Sequence, residues 1–190
     1  MTIKIGILGG TFDPVHNGHI YLAEKVCRKL GLSKVIFIPS YIPPHKKGIK
    51  VTPAKHRYSM LKLAIAGNKR FKISNMEIKR RGRSYSVETL RRLRRKYGQK
   101  TELYFITGSD SLKELDKWKN LTEILSLCKF VIVERPGFKV SHAPEDIIVI
   151  KIGAKDISAT SIRKRIKSSK STRNSIPGAV KRYIHRYRLY

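Results

Sequence analysis

Two histidines three residues apart, His16 and His19, lie in the stretch Gly9-Gly10-Thr11-Phe12-Asp13-Pro14-Val15-His16-Asn17-Gly18-His19. At that spacing on the start of a helix, both imidazoles can project to one side. The first N–H groups of a helix have no intrahelical partner and carry partial positive charge. Imidazoles and N–H groups together make an anion site. Gly9 and Gly10 let a ligand approach the backbone closely. The stretch has no G-x-G-x-x-G and no closing G-K-[ST], so neither the dinucleotide fingerprint nor a Walker loop describes it. A zinc site needs more ligands than two histidines. The same residues would also suit a helix start whose histidines merely cap and pack.

A second constellation is Ile157-Ser158-Ala159-Thr160-Ser161-Ile162-Arg163. Ser and Thr are good N-caps, so a short helix opens here. A capping box begun by Thr160 would place Glu or Gln at position 163. Arg163 stands there instead, a charge disfavoured at a helix N-terminus by roughly 0.3–1 kcal/mol. A bound polyanion reverses that sign, although an exposed arginine on a basic protein is the plainer reading. Asp110 follows an apolar burst and could accept from ribose hydroxyls or cap the next helix. His45 and Lys46 follow the rigid pair Pro43-Pro44, where they could meet a phosphate or form a basic loop. Trp118 has the polar neighbours Asp116, Lys117, Lys119 and Asn120. An indole there suits a surface or pocket location, against core packing as the commoner fate.

The elements that must position these residues alternate. Ile3–Leu8, Val35–Pro39, Phe71–Ser74, Glu102–Thr107, Phe130–Val133 and Ile147–Ile152 read as strands. Ile20–Leu30, Pro53–Ala66, Val87–Tyr97, Ser161–Ile166 and Pro177–Tyr187 read as helices, with Gly31 and Gly98 as stops. Continuous apolar strands between helices imply a parallel sheet covered on both faces. The expected fold is a single α/β domain, an open doubly wound (Rossmann-like) sheet over residues 1–190, with a helical portion from about 157 to 190. Ligands in such folds bind beyond the carboxyl ends of the strands, where the polar residues above fall. The polar, Ser-rich segment Lys167–Ser175 reads as a mobile loop.

The 190 residues carry 42 Lys and Arg against 13 Asp and Glu, a net charge of +29. That balance favours anionic partners without choosing among them. Two zones are densest, Lys79–Lys100 and Arg163–Tyr190. Hydrophobic residues make up 41% of the chain, which suffices for a core. No apolar run approaches the roughly 20 residues of a membrane helix, and no secretory signal is recognisable. Two cysteines, Cys27 and Cys128, cannot build a disulfide scaffold, so reduced thiols and a cytoplasmic location are expected.

The run G-G-T-F-D-P-x-H-x-G-H resembles the signature of the nucleotidylyltransferase superfamily, whose hallmark H-x-G-H falls on His16, Asn17, Gly18 and His19. Ile157–Arg163 resembles its second signature, I-S-x-T-x-x-R. Pro43-Pro44-His45-Lys46, Ser84-Tyr85-Ser86, Gly108-Ser109-Asp110-Ser111, Trp118 and Glu134-Arg135-Pro136-Gly137, in this order, are similar to the bacterial nicotinate-nucleotide adenylyltransferases, over nearly the whole chain. The resemblance implies transfer of an adenylyl group from ATP to nicotinate mononucleotide. It implies catalysis by His16, His19, Lys46 and Arg163. It implies ATP binding by Gly9, Gly10, Thr11, Phe12, His16, His19, Gly108, Asp110, Ser158, Thr160 and Arg163. It implies mononucleotide binding by His45, Lys46, Ser84, Tyr85, Trp118 and Arg135. Mg²⁺ would be bound through ATP rather than by a protein cage. Two departures stand out: Ser86, where the family usually has Thr, and Lys119, where an aromatic often follows the tryptophan. Nicotinamide mononucleotide or another phosphorylated acceptor such as phosphopantetheine remains an alternative. So does a basic module that binds nucleic acid; weak non-specific nucleic-acid binding could also accompany the enzyme. The sequence leaves oligomeric state open, a homo-oligomer included.

Overall fold

The strands form one six-stranded sheet in the order β3-β2-β1-β4-β5-β6, with every pairing parallel. A computed structural model describes residues 2–44, 51–134, 140, 144–153 and 157–190. The strands are β1 (Lys4–Gly10), β2 (Lys34–Pro39), β3 (Phe71–Ile73), β4 (Glu102–Gly108), β5 (Lys129–Glu134) and β6 (Ile147–Lys151). The helices are α1 (Asn17–Lys29), α2 (Ala54–Ile65), α3 (Met76–Arg80), α4 (Ser86–Tyr97), α5 (Leu121–Leu127), α6 (Ala159–Lys167) and α7 (Gly178–Arg186). A 3₁₀ segment, Ser109–Lys117, follows β4. This is the doubly wound α/β domain that the alternation of bursts implies.

Side chains alternate across a strand, so each sheet face builds its own core. Val35, Phe37, Tyr104, Ile106, Val131 and Val133 meet residues of α1, α2, α6 and α7 on one face. Ile5, Ile7, Ile36, Ile38, Leu103, Phe105, Phe130 and Ile132 meet α4, α5 and the 3₁₀ segment on the other. Phe37 and Phe130 are fully buried, and each such side chain contributes roughly 1.5–3 kcal/mol. Gly6 faces the first core, where a Cβ would lie 2.7 Å from Leu32 Cδ1. Cys27 and Cys128 are buried free thiols in different cores. Burial pushes the Cys128 thiol up to about 12.

Several boundaries differ from the sequence reading. β1 runs two residues further, into Gly9 and Gly10. α1 begins at Asn17, three residues before the apolar period does, with the histidines at the helix start as read. α3, α5 and the 3₁₀ segment were not expected. The two helices have five and seven residues, too short for an apolar period to register. The segment read as a mobile loop is turned and pinned instead. Thr172 is buried within it, and the carbonyls of Asn174 and Ser175 accept from Asn17 Nδ2 and Asn17 N, each at 2.9 Å. Gly98 does stop α4, at φ 72°, a conformation that glycine adopts without a Cβ clash. No helix among the described residues is long and apolar enough to cross a membrane.

Candidate active site

Between β1 and β4 the strand order reverses, and the loops after these strands diverge to opposite faces. A doubly wound sheet opens its ligand crevice at such a point. A cavity of about 440 Å³ lies there. From one side of the sheet it is lined by Gly9, Gly10, Thr11, Phe12, Asp13, His16, His19, Ser158, Thr160 and Arg163. From the other it is lined by Glu77, Ser84, Ser86, Thr89, Phe105, Gly108, Asp110 and Trp118.

The imidazoles of His16 and His19 stack, with centroids 3.7 Å apart. The His16 N–H donates to His19 Nδ1 at 3.3 Å. That bond assigns the His19 proton to Nε2, the nitrogen of a neutral ring that is left to donate. Phe12, at φ 50°, sets its buried ring edge-on to His19 at 5.0 Å. Phe12 therefore braces an imidazole as well as lining the wall. Gly18 is required by packing, since a Cβ there would lie 3.0 Å from His16 Nδ1 and 3.6 Å from Ile157 Cβ. His16 is 4% exposed and has little room to yield.

The second signature lies across the same cavity. Its helix α6 is capped by Ser158, whose Oγ accepts from Ser161 N–H at 3.1 Å. The expected cap, Thr160, is instead inside the first turn, because Ser158 has the extended backbone a cap needs. The argument from a missing capping box at position 163 therefore falls away. Arg163 is held by geometry: its Nη1 donates to the Asp13 carbonyl at 2.7 Å and its Nη2 to Thr160 Oγ1 at 3.2 Å. Neither α1 nor α6 has an acidic residue in its first turn, and both positive helix ends reach the cavity.

On the other side, Trp118 is half-buried, edge-on to Phe105 at 5.7 Å and to Phe130 at 5.6 Å. Core packing and the pocket wall are thus one role for this indole. Gly108 caps the 3₁₀ segment, and Asp110 lies exposed in its first turn. Ser84 Oγ accepts from Tyr41 N–H at 2.9 Å. Tyr85 does not reach the cavity wall; Lys119 Nζ sits 4.7 Å from its ring centroid. His45, Lys46 and Arg135 fall outside the described residues.

Sequence reasoning missed four polar groups. Arg57 is 1% exposed. Its Nε donates to Thr52 O at 2.8 Å, Nη1 to Thr11 O at 2.7 Å, and Nη2 to Ser40 O at 2.7 Å and Tyr41 O at 3.1 Å. One guanidinium thus ties the loop after β1 to the loop after β2. Burial lowers its basicity, while the negative charge of Asp13 opposes that. The signal was available: Arg57 shares the buried side of α2 with Met60, Leu61 and Ile65, and a cation in an apolar stripe must find partners. Glu77 is buried and accepts from Thr89 Oγ1 at 2.6 Å. Burial raises its carboxyl above the usual range, opposed by hydrogen bonds from Thr89 and Ser84. Asp13 is buried, accepting from Tyr190 OH at 2.6 Å and Thr52 N–H at 3.2 Å. Nothing local in the sequence points to Tyr190.

A family profile described as cytidylyltransferase-like matches residues 7–165, most of the chain and both signatures. The nicotinate-nucleotide adenylyltransferase of Bacillus subtilis is 43% identical, over 98% of each chain. A Moorella thermoacetica protein named probable nicotinate-nucleotide adenylyltransferase is also 43% identical, over 98% of this chain and 91% of its own. This chain belongs to the nicotinate-nucleotide adenylyltransferase family. The adenylyltransferase fold is matched as well. Plasmodium falciparum nicotinic acid mononucleotide adenylyltransferase, solved in complex with NaAD, superposes at a TM-score of 0.85. It covers 99% of this chain and 97% of its own at 20% identity, so that likeness speaks for the adenylyltransferase fold alone.

Proposed function

We propose that the chain transfers the adenylyl group of ATP to the phosphate of nicotinate mononucleotide, giving deamido-NAD and pyrophosphate in NAD biosynthesis. One observation carries the reading: two helix N-termini without an acid in their first turns, a stacked histidine pair and Arg163 converge on one cavity that also holds Trp118. In this reading the triphosphate lies against Gly9, Gly10, His16, His19 and Arg163. The ribose hydroxyls face Asp110, and the pyridine ring lies on Trp118. His45, Lys46 and Arg135 would serve the mononucleotide, as the family resemblance implies.

A phosphate oxygen of the mononucleotide attacks the α-phosphorus in line. The new O–P bond forms as the bond from the α-phosphorus to the bridging oxygen breaks, and that electron pair leaves with pyrophosphate. The attacking oxygen is already anionic at neutral pH, so no general base is required. Catalysis then consists of positioning and of neutralising charge on the leaving group. His19 Nε2–H and the Arg163 guanidinium are the donors suited to that task. Mg²⁺ arriving with ATP would supply further neutralisation across the phosphate oxygens. Both Asp13 carboxylate oxygens are engaged by Tyr190 and Thr52, so that carboxylate serves the loop rather than an ion.

The charge of +29 supports, in addition, weak non-specific nucleic-acid binding that falls steeply with salt. The two buried free thiols accord with a cytoplasmic place of work. The test is His19→Ala, assayed with ATP and nicotinate mononucleotide. Loss of one preorganised donor lowers kcat by about 10²–10³-fold, with the thermal transition retained. Activity within a few-fold of the parent would remove His19 from the chemistry.

A further inference from the structure

We infer that Tyr190 is a positioning residue for the triphosphate side of the cavity, acting through Asp13 on Arg163. The inference rests on the reading that Arg163 meets the phosphates of ATP. Arg163 spends one N–H on the main-chain oxygen of Asp13. The orientation of its guanidinium therefore depends on where the Asp13 peptide sits. That peptide follows Phe12, which holds a positive φ of 50°, and its neighbours offer it no strand or helix ladder. The Asp13 side chain anchors it from the other side. Oδ1 accepts from the Tyr190 hydroxyl at 2.6 Å, and Oδ2 accepts from Thr52 N–H at 3.2 Å. Both bonds are made to a carboxylate, the stronger kind of hydrogen bond, and the one from Tyr190 is the shorter. Asp13 is 4% exposed, so little solvent competes for it.

Tyr190 is itself held in place. It packs with Leu189 against the first core, and Leu189 N–H donates to Ile184 O at 3.0 Å, turning the chain back after α7. Residues 177 positions apart thus meet at the signature loop. Arg57 braces the preceding residue of that loop but one, through Thr11 O. Tyr190 braces Asp13 itself, and with it the only described partner that α1's loop gives to Arg163. Its hydroxyl lies one residue removed from the phosphate site, which is the place of a group that tunes ATP binding without touching ATP.

The test compares Tyr190→Phe with Tyr183→Phe. Phenylalanine keeps the ring and its packing, so only a hydroxyl is lost. Tyr183 OH pairs with His56 Nδ1 at 3.1 Å, away from Asp13, and controls for the loss of one tyrosine hydrogen bond. Tyr190→Phe should raise the KM for ATP about five- to tenfold and leave the KM for nicotinate mononucleotide unchanged. Tyr183→Phe should change neither, with a similar small fall in melting temperature. In an Arg163→Ala background, which itself raises the KM for ATP, Tyr190→Phe should add nothing further. Additive effects, or an unaltered ATP KM in Tyr190→Phe while Arg163→Ala raises it, would overturn the positioning role and leave the site reading standing. An unaltered ATP KM in Arg163→Ala would overturn both.

Discussion

Glycine at position 18 shows how tightly the chemistry is specified at the scale of single residues. The two imidazoles stack, and a Cβ at position 18 would crowd His16 and meet Ile157. The histidine pair was legible, because the whole constellation is contiguous in the chain; the packing need for Gly18 was not. Glu77 was not legible: its partners Ser84 and Thr89, 7 and 12 residues on, meet it only in the folded chain. Its carboxyl is raised above the ordinary range, chiefly by burial. A carboxyl with a raised folded value binds its proton more firmly in the native state. Its contribution to stability is full below the unfolded carboxylate range and is lost as pH rises through the raised value. Relative to Glu77→Gln, the wild type should therefore lose stability as pH is raised from 4 to 7. Urea midpoints at the two pH values measure this, and a difference independent of pH would place the burial cost elsewhere.

Elements separate into those the sequence announces and those it conceals. Long helices with an apolar stripe, α1, α2, α4 and α7, were readable from period alone. α3 and α5 span fewer than two full turns of useful pattern, and only tertiary packing makes them helices. The start of α6 was misplaced by one hydroxyl, since Ser158 and Thr160 are equally good caps in isolation. Loops are where the sequence says least, and Arg57 is what organises two of them. Its fork serves carbonyls of Thr11, Ser40, Tyr41 and Thr52 at once. A lysine ammonium cannot reproduce that planar geometry. Arg57→Lys should cost about 2–4 kcal/mol, since several buried carbonyls lose their donors. For a chain of this size that lowers the melting temperature by roughly 4–16 °C. Calorimetry reads it directly, and a melting temperature unchanged from the parent would show that the loops hold themselves.

For the molecule as a whole, the alternation of apolar bursts was enough to imply a parallel doubly wound sheet. The strand order was not, because crossover direction leaves no mark in local pattern. That order matters most for function. It puts the reversal between β1 and β4, and so brings the histidine turn, α6 and Trp118 to one cavity from three distant stretches of chain. The excess of positive charge extends this local design over the surface and favours capture of polyanions such as ATP. The central claim is that the cavity joins ATP to a pyridine mononucleotide carrying a carboxylate. Pyrophosphate release from ATP and Mg²⁺, measured with nicotinate mononucleotide, nicotinamide mononucleotide and phosphopantetheine in turn, tests it most directly. The account predicts release that requires an acceptor, with the highest kcat/KM for the nicotinate form. Release without any acceptor, or a kcat/KM for either other acceptor equal to or above that of the nicotinate form, would contradict it.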